Sequence, residues 1–269
     1  MRASTAAAFL VGLLIPFTLA APTIEKVLAP GGYRANTNVR EIPAGGSLVR
    51  VGSEIHVLDA EGTIVHVATA GVPTKVKSAV SPLETGWVTF ASWLNTASSP
   101  ISSFTTTWTV PPVPATNHDQ TIFLFNSIEP NAGDAILQPV LQYLDSANTF
   151  FTTPVQTSAG ATLNGIITLT GSSGSSYNYI SQFTNIPGTA LDIIGSAELT
   201  WATETLEAYG VTAISDYPAG STVFSGINLE LASGAVPSVS WSNTNDNADG
   251  LSTTINTNGA ANARITITY

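Results

Sequence analysis

Short strand-like runs alternate with turn clusters along most of this chain, and that recurrence constrains the fold more than any other feature. Turns rich in glycine, proline and asparagine separate the runs, as at residues 131–134, 171–174 and 218–220. After residue 86 the runs cover residues 87–93, 104–110, 121–126, 135–144, 150–156, 161–170, 177–183, 190–203, 222–231, 236–241 and 263–269. About ten short strands of this kind predict an all-β sandwich or barrel with antiparallel pairing. Residues 204–209 are the one candidate for a short helix.

The N-terminal third divides into three parts. Residues 1–20 have the pattern of a secretory signal peptide, with Arg2, an apolar run over 6–19 and small residues after it, so we expect a secreted, extracellular protein. Residues 21–80 form an N-terminal segment in which 48–58 and 63–68 alternate around a turn and predict a β-hairpin. Residues 71–86 are a candidate linker, and residues 81–269 are the predicted β-sandwich domain. Because the chain has no cysteine, its core must hold the fold without disulfides.

Charge is distributed unevenly along the chain. Of the 18 acidic residues, thirteen follow residue 77, whereas Arg264 is the one basic residue of eight that does so. An acidic body disfavours nucleic acid and anionic membranes as partners, and it suits work at low pH. The less acidic segment 21–80 is then either a propeptide that covers the body or the result of a surface bias without function.

The residue types exclude most hydrolytic chemistries. The three histidines, His56, His66 and His118, have no metal-ligand spacing, and no nucleophile elbow accompanies them. Cysteine nucleophiles and phosphate-binding glycine loops are absent from the sequence. Carboxylates and amides therefore remain as the candidate catalytic groups, and we expect neither a metal nor a cofactor.

Two stretches concentrate these groups. In the run 136–143, an extended strand places Gln138 and Gln142 on one face with apolar neighbours, where an unpartnered buried amide costs about 1–3 kcal/mol. The two amides are therefore either satisfied or lining a groove. In residues 197–210, Glu198 and Glu204 share a strand face but lie roughly 20 Å apart. These two carboxylates cannot act as a pair.

Four segments together resemble the fungal glutamic peptidases (eqolisins), and in particular diverged secreted members from mushroom-forming fungi. The family's aromatic-Thr-Val-Pro strand, its Trp-Val-Gly-Ile-Asp segment, its Ile-Leu-Gln and its Trp-Ile-Val-Glu have counterparts here in the same order. The counterparts are Trp108-Thr109-Val110-Pro111, Phe125-Asn126-Ser127-Ile128-Glu129, Ile136-Leu137-Gln138 and Trp201-Ala202-Thr203-Glu204.

The resemblance implies a concanavalin A-like double antiparallel sheet with a groove, and an acid-acting endopeptidase that hydrolyses protein or peptide substrates as a monomer. Gln138 and Glu204 would enter the groove from neighbouring strands as the catalytic pair. The glutamate would move the proton of an attacking water, and the glutamine would donate to the oxyanion. The implied supporting and groove-lining residues are Glu129, Gln142, Glu198, Phe125, Tyr143 and Trp201. Glu198 competes with Glu204 as the counterpart of the family's glutamate.

Two other functions stay open at this point. One is a catalytically inactive secreted sandwich that binds carbohydrate or a cell-wall component through exposed Trp87, Trp93 or Trp241. The other is a glycosidase or polysaccharide lyase that uses Glu129 with Glu204, which requires the two carboxyls to lie within about 5–10 Å of each other.

Overall fold

The computed structural model describes residues 25–71, 86–130, 135–140 and 142–269. The predicted signal peptide and nearly all of the predicted linker lie outside these ranges. Two one-turn 3₁₀ helices, Asn36–Asn38 and Ile214–Asp216, accompany twenty strands. The strands are β1 Lys26–Ala29, β2 Gly32–Ala35, β3 Val39–Glu41, β4 Ser47–Val51, β5 Glu54–Leu58, β6 Ile64–Thr69, β7 Gly86–Leu94, β8 Ile101–Thr109, β9 Thr121–Glu129, β10 Ala135–Leu137, β11 Tyr143–Asp145, β12 Thr149–Phe151, β13 Thr162–Ser173, β14 Ser176–Phe183, β15 Leu191–Ser196, β16 Trp201–Tyr209, β17 Ser221–Leu231, β18 Ser242–Thr244, β19 Ser252–Thr257 and β20 Ala263–Thr268.

Two large sheets pack face to face. The eight-stranded sheet has the order β18-β7-β16-β9-β10-β11-β12-β3, and the ten-stranded sheet has the order β19-β20-β17-β8-β13-β14-β15-β4-β5-β6. One apolar core lies between them, with Ile128 and Leu206 from the first sheet and Phe104, Ile167 and Tyr179 from the second. The predicted all-β antiparallel sandwich is confirmed.

The N-terminal segment is built into the sandwich. Strand β3 pairs in parallel with β12 at the edge of the eight-stranded sheet, and β4 pairs in parallel with β15 in the ten-stranded sheet. The predicted hairpin over 48–68 is therefore a meander of β4, β5 and β6, because the turn at Gly52, with φ of 59°, divides its first run. A separate hairpin of β1 and β2, here called the covering hairpin (Lys26–Ala35), lies outside both sheets.

Five predicted elements differ from the structure, and one of them is the run 190–203, which is divided into β15 and β16. Residues 204–209 are not a helix, because they continue β16, which is paired on both sides. The run 135–144 is broken into β10 and β11, as the missing N–H of Pro139 favours. The run 150–156 contributes only two residues to β12, and 236–241 contains no strand. No helix in the described parts of the chain is long and apolar enough to span a membrane.

Candidate active site

Strand β16 carries polar residues on both of its faces. Ala202 and Leu206 belong to the core between the sheets. Strand alternation places Glu204 with them and places Trp201, Thr203, Thr205 and Glu207 on the opposite side. That opposite side, here called the outer face, points away from the ten-stranded sheet. Its residues on β9, by register with β16, are Phe123, Phe125, Ser127 and Glu129.

Glu204 lies between the sheets and not in a groove. Its Oε1 accepts a hydrogen bond from the Thr106 hydroxyl on β8 of the facing sheet, and the residue is completely buried. Burial raises the pKa of Glu204 well above its usual value, and the Thr106 hydrogen bond opposes that rise only in part. Its Oε2 has no partner among the described residues, and neither does the amide of Asn126, its register partner on β9. Burial therefore favours the neutral form of Glu204.

The expected pairing of Gln138 with Glu204 from neighbouring strands does not agree with the strand order. Strand β9 separates β10 from β16, so the two residues do not come from neighbouring strands. The pairing of Glu129 with Glu204 fails for a related reason, because the side chains leave opposite faces of the sheet. The two carboxyls that the glycosidase interpretation requires therefore do not face each other.

Buried polar residues on the outer face form a hydrogen-bonded row. The Ser127 hydroxyl donates to Glu129 Oε1 at 3.2 Å and lies 2.8 Å from Thr203 Oγ1. Thr203 Oγ1 in turn lies 2.9 Å from Thr205 Oγ1. Ser127, Thr203 and Thr205 are completely buried and Glu129 nearly so. These hydrogen bonds offset the cost of burying the polar groups of the row.

Burial raises the pKa of Glu129 to about 8, against the lowering effect of the Ser127 hydrogen bond, and the charge of Glu207 raises it further. Glu129 is thus protonated at acidic and neutral pH in this form of the protein. In that state it is a proton donor, and exposure to water would return its pKa toward that of an ordinary glutamate.

Gln138 directly follows β10, whose one register pair with β9 joins Leu137 to Ile128. Extension of that register by one position puts Gln138 opposite Ser127, on the outer face. Its backbone N–H donates to Gln142 O at 2.9 Å, which closes the loop around Pro139. The side chain is completely buried, and neither of its amide atoms has a partner among the described residues. This amide is free to bind a group that enters the face.

Three of the other predicted site residues make contacts elsewhere in the fold. Gln142 donates to the carbonyl of Thr189 and accepts from the Thr152 N–H at 2.8 Å, so it fastens the loop to the ten-stranded sheet and the strand end. Tyr143 packs in the core and stacks on Phe150, so it does not line the outer face. Glu198 precedes β16 and accepts from the hydroxyl of Tyr177 on β14 at 3.3 Å. None of the three joins the polar row.

Aromatic side chains converge beside the row. Trp201 stacks on Trp87 with ring centroids 5.7 Å apart, and Phe90 and Phe125 contact this pair edge-on. The Cα atoms of Trp87 and Trp201 are about six ladder positions apart, or roughly 20 Å on a flat sheet. Contact between side chains over that span is what a concave face produces. Phe125 and Trp201, both expected to line a groove, lie here, whereas Trp87 was not expected at the catalytic groove.

Glu207 and Tyr209 extend the outer face, and neither was singled out from the sequence. Burial raises the pKa of Glu207 to about 7, opposed by hydrogen bonds from Tyr209 and Gly31 and by the charge of Arg34. The signal was present in the period-two spacing, because both residues fall an even number of positions after Trp201. The described residues contain no group of three or more acidic or histidine side chains that could hold a metal ion.

Similarity of this chain to known proteins is found at the level of structure. No family model matches the chain, and no curated protein sequence matches it. Two crystal structures of scytalido-glutamic peptidase are similar, one with a peptide-based transition state analog and one with a transition state analog inhibitor. Their TM-scores are 0.47 and 0.46 at 15% and 16% identity, over 70% of this chain and 100% of theirs. At that level of similarity the comparison assigns no role to any residue of this chain.

Proposed function

We propose that this protein is a secreted, acid-acting peptidase-like protein that hydrolyses peptide bonds on the outer face of its eight-stranded sheet. The observation that carries the proposal is the buried row of Ser127, Thr203, Thr205 and Glu129, with the partnerless amide of Gln138 at its side. Proteins satisfy nearly all buried polar groups, so a buried amide without a partner beside a polar row favours a binding or catalytic role.

Gln138 and Glu129 are the proposed reacting pair, in place of Gln138 and Glu204. By register they are diagonal neighbours on adjacent strands, with Cα atoms about 7–8 Å apart. Glu129 would take the proton of the attacking water once solvent lowers its pKa, and would then return it to the leaving amine. The Gln138 amide would donate to the oxyanion, which a neutral amide can do across the acidic pH range.

The N-terminal segment is proposed to be a propeptide. In the structure it covers the outer face, because Leu28 packs on the cluster of Phe123, Phe125 and Tyr209. Its removal between about residues 78 and 87 would release the covering hairpin together with β3 to β6, and would expose Glu207, Tyr209 and Phe123 to water and substrate. N-terminal sequencing of the secreted protein should find a start in that range, and a start at residue 21 or 22 would contradict this part of the proposal.

Hydrolysis of a denatured protein substrate at pH 2–5, in the presence of pepstatin, tests the activity. We expect cleavage by the secreted protein and a loss of at least a hundredfold in kcat/KM for both Gln138→Ala and Glu129→Gln. Glu204→Gln is the matched control, because it makes the same change to a carboxyl between the sheets, and it should keep its activity. Equal activity in all three variants would contradict the assignment.

The stacked pair of Trp87 and Trp201 supports a second candidate, an inactive secreted sandwich that binds carbohydrate or a cell-wall component. Both indoles are only partly buried and lie on the concave face, where they could stack on a sugar ring. A glycan array separates the two functions. Binding that is lost in Trp201→Ala, together with no hydrolysis at any pH, would favour this candidate.

A further inference from the structure

The tip of the covering hairpin contacts a carboxylate that the proposed chemistry does not use. The backbone N–H of Gly31 donates to Glu207 Oε1 at 2.6 Å, and the Tyr209 hydroxyl donates to the same oxygen. Glu207 Oε2 is buried without a partner among the described residues. Glu207 is completely buried although it lies on the outer face, because the hairpin covers it.

The same hairpin places an aliphatic side chain among aromatic rings. Leu28 packs against the cluster formed by Phe123, Phe125 and Tyr209, which Trp87 and Val140 extend. Ala29 and Pro30, which lead from Leu28 to the tip, are also buried. One short stretch of chain therefore supplies an apolar anchor and, three residues later, a hydrogen-bond donor. Both are requirements that a peptide ligand can meet.

We infer that Glu207, Tyr209 and the aromatic cluster form a peptide-binding subsite that the chain's own hairpin occupies. The ligand it takes is a peptide with an aliphatic residue followed three positions later by a free backbone N–H. This inference rests on the proposed function, because the bound peptide would be the substrate. The subsite lies several ladder positions along β16 from Thr203, so it positions the peptide and does not react with it.

Charge adds a preference for basic peptides. Arg34 lies close enough to Glu207 to influence its carboxyl, and its guanidinium donates to Gly31 O at 3.1 Å and to Asp145 O at 3.5 Å. The part of the chain after residue 77 is strongly acidic, whereas the hairpin carries Lys26 and Arg34 and no acid. A free peptide with a basic residue three positions after the donor N–H reproduces this contact.

The test uses the full chain and a fluorescent synthetic peptide with the sequence of residues 25–36. Leu28→Asp in the protein should undock its hairpin and uncover the subsite, so that the probe binds at least tenfold tighter than it binds to the wild type. Tyr33→Asp is the matched control, because it adds the same charge to the same hairpin at a side chain that is 60% exposed. Equal probe binding by the two variants would overturn the inference.

Two further binding measurements test which residues form the subsite. Adding Glu207→Gln to Leu28→Asp should weaken probe binding at least tenfold, and a probe that carries aspartate in place of its leucine should not bind. If Leu28→Asp does not fold, exchange of the Gly31 amide is compared in the wild type and Glu207→Ala, where a tenfold acceleration is expected and unchanged exchange would refute the subsite. No readout needs hydrolysis. Probe binding without proteolysis would therefore contradict the proposed function but not the subsite. Proteolysis without probe binding would contradict the subsite but not the proposed function.

Discussion

Neighbouring residues on β16 have opposite roles because a strand sends successive side chains to opposite faces. Thr203 belongs to the polar row of the outer face, whereas Glu204 reaches Thr106 across the core. A Glu204 carboxyl that keeps its proton satisfies Thr106 as an acceptor and loses little by burial, because its charged form is the expensive one. A shift of one residue along β16 therefore decides whether a side chain lies on the outer face or in the core.

The energetic role of Glu204 can be tested by separating its charge from its hydrogen bond. We expect Glu204→Gln to change the free energy of unfolding at pH 5 by less than about 1 kcal/mol, because an amide oxygen still accepts from Thr106. Thr106→Val, which removes the donor, should lower it by about 1–3 kcal/mol. Urea denaturation measures both. A large loss in Glu204→Gln at pH 5 would mean that the carboxyl is ionised in the core.

At the scale of elements, pairing decides what the local pattern leaves open. The alternation in 104–110 and 222–231 predicts strands correctly, because one face of each run is mainly apolar. Strand β16 has mixed polarity on both faces, so its sequence favoured a helix over 204–209 and gave no reason to prefer either face for Glu204. Pairing with β7 and β9 determines both that residues 204–209 form a strand and which face Glu204 occupies, and these contacts are remote in sequence.

The contacts of the loop that carries Gln138 could likewise be predicted only in part from the sequence. Pro139 lacks the N–H that a continuous ladder needs, and the run 135–144 is interrupted there. What could not be predicted is that Gln142 is held by Thr189 and Thr152, because those partners come from separate turns. The covering hairpin was also missed, since residues 22–46 have no clear period in the sequence and the contact that Leu28 makes with the outer face is remote in sequence.

The parallel pairing of β4 with β15 is open to a test at one glycine. Gly195 has φ of 83°, and a Cβ there would lie 2.7 Å from the carbonyl oxygen of Arg50 on β4. Gly195→Ala should therefore push β4 away and speed hydrogen exchange over residues 47–51 at least tenfold. Gly174→Ala is the control, because its φ is 60° but no atom lies within 4 Å of the new Cβ. Equal exchange in the two variants would show that backbone strain alone accounts for the effect.

For the whole molecule, acidic residues set the pH range in which the fold is stable. Asp216 accepts hydrogen bonds from Thr116, Thr212, His118 and Ala213, and these hold its pKa below the usual value. Its contribution to stability is lost as pH falls through that lowered pKa. Glu129, Glu204 and Glu207 behave in the opposite way, because burial raises their pKa values.

These raised pKa values predict that the protein loses stability as pH increases. Between the ordinary value of 4.5 and folded values of about 8 for Glu129 and about 7 for Glu207, the folded state holds protons that the unfolded state releases. The stability they contribute is therefore complete below pH 4.5 and declines until about pH 8. One pKa unit corresponds to about 1.4 kcal/mol, so the decline should amount to several kcal/mol.

Urea denaturation of the full chain at intervals from pH 4 to pH 9 measures this decline. Glu129→Gln should flatten the profile between pH 5 and pH 8, because an amide has no proton to release there, and Glu207→Gln should flatten it mainly below pH 7. Glu61→Gln is the control, since Glu61 is exposed on a turn and its change should leave the profile as it is. Stability that rises with pH from 5 to 8 would mean that the outer-face carboxyls are ionised and paired in the folded protein. Glu129 would then carry no proton in the folded protein.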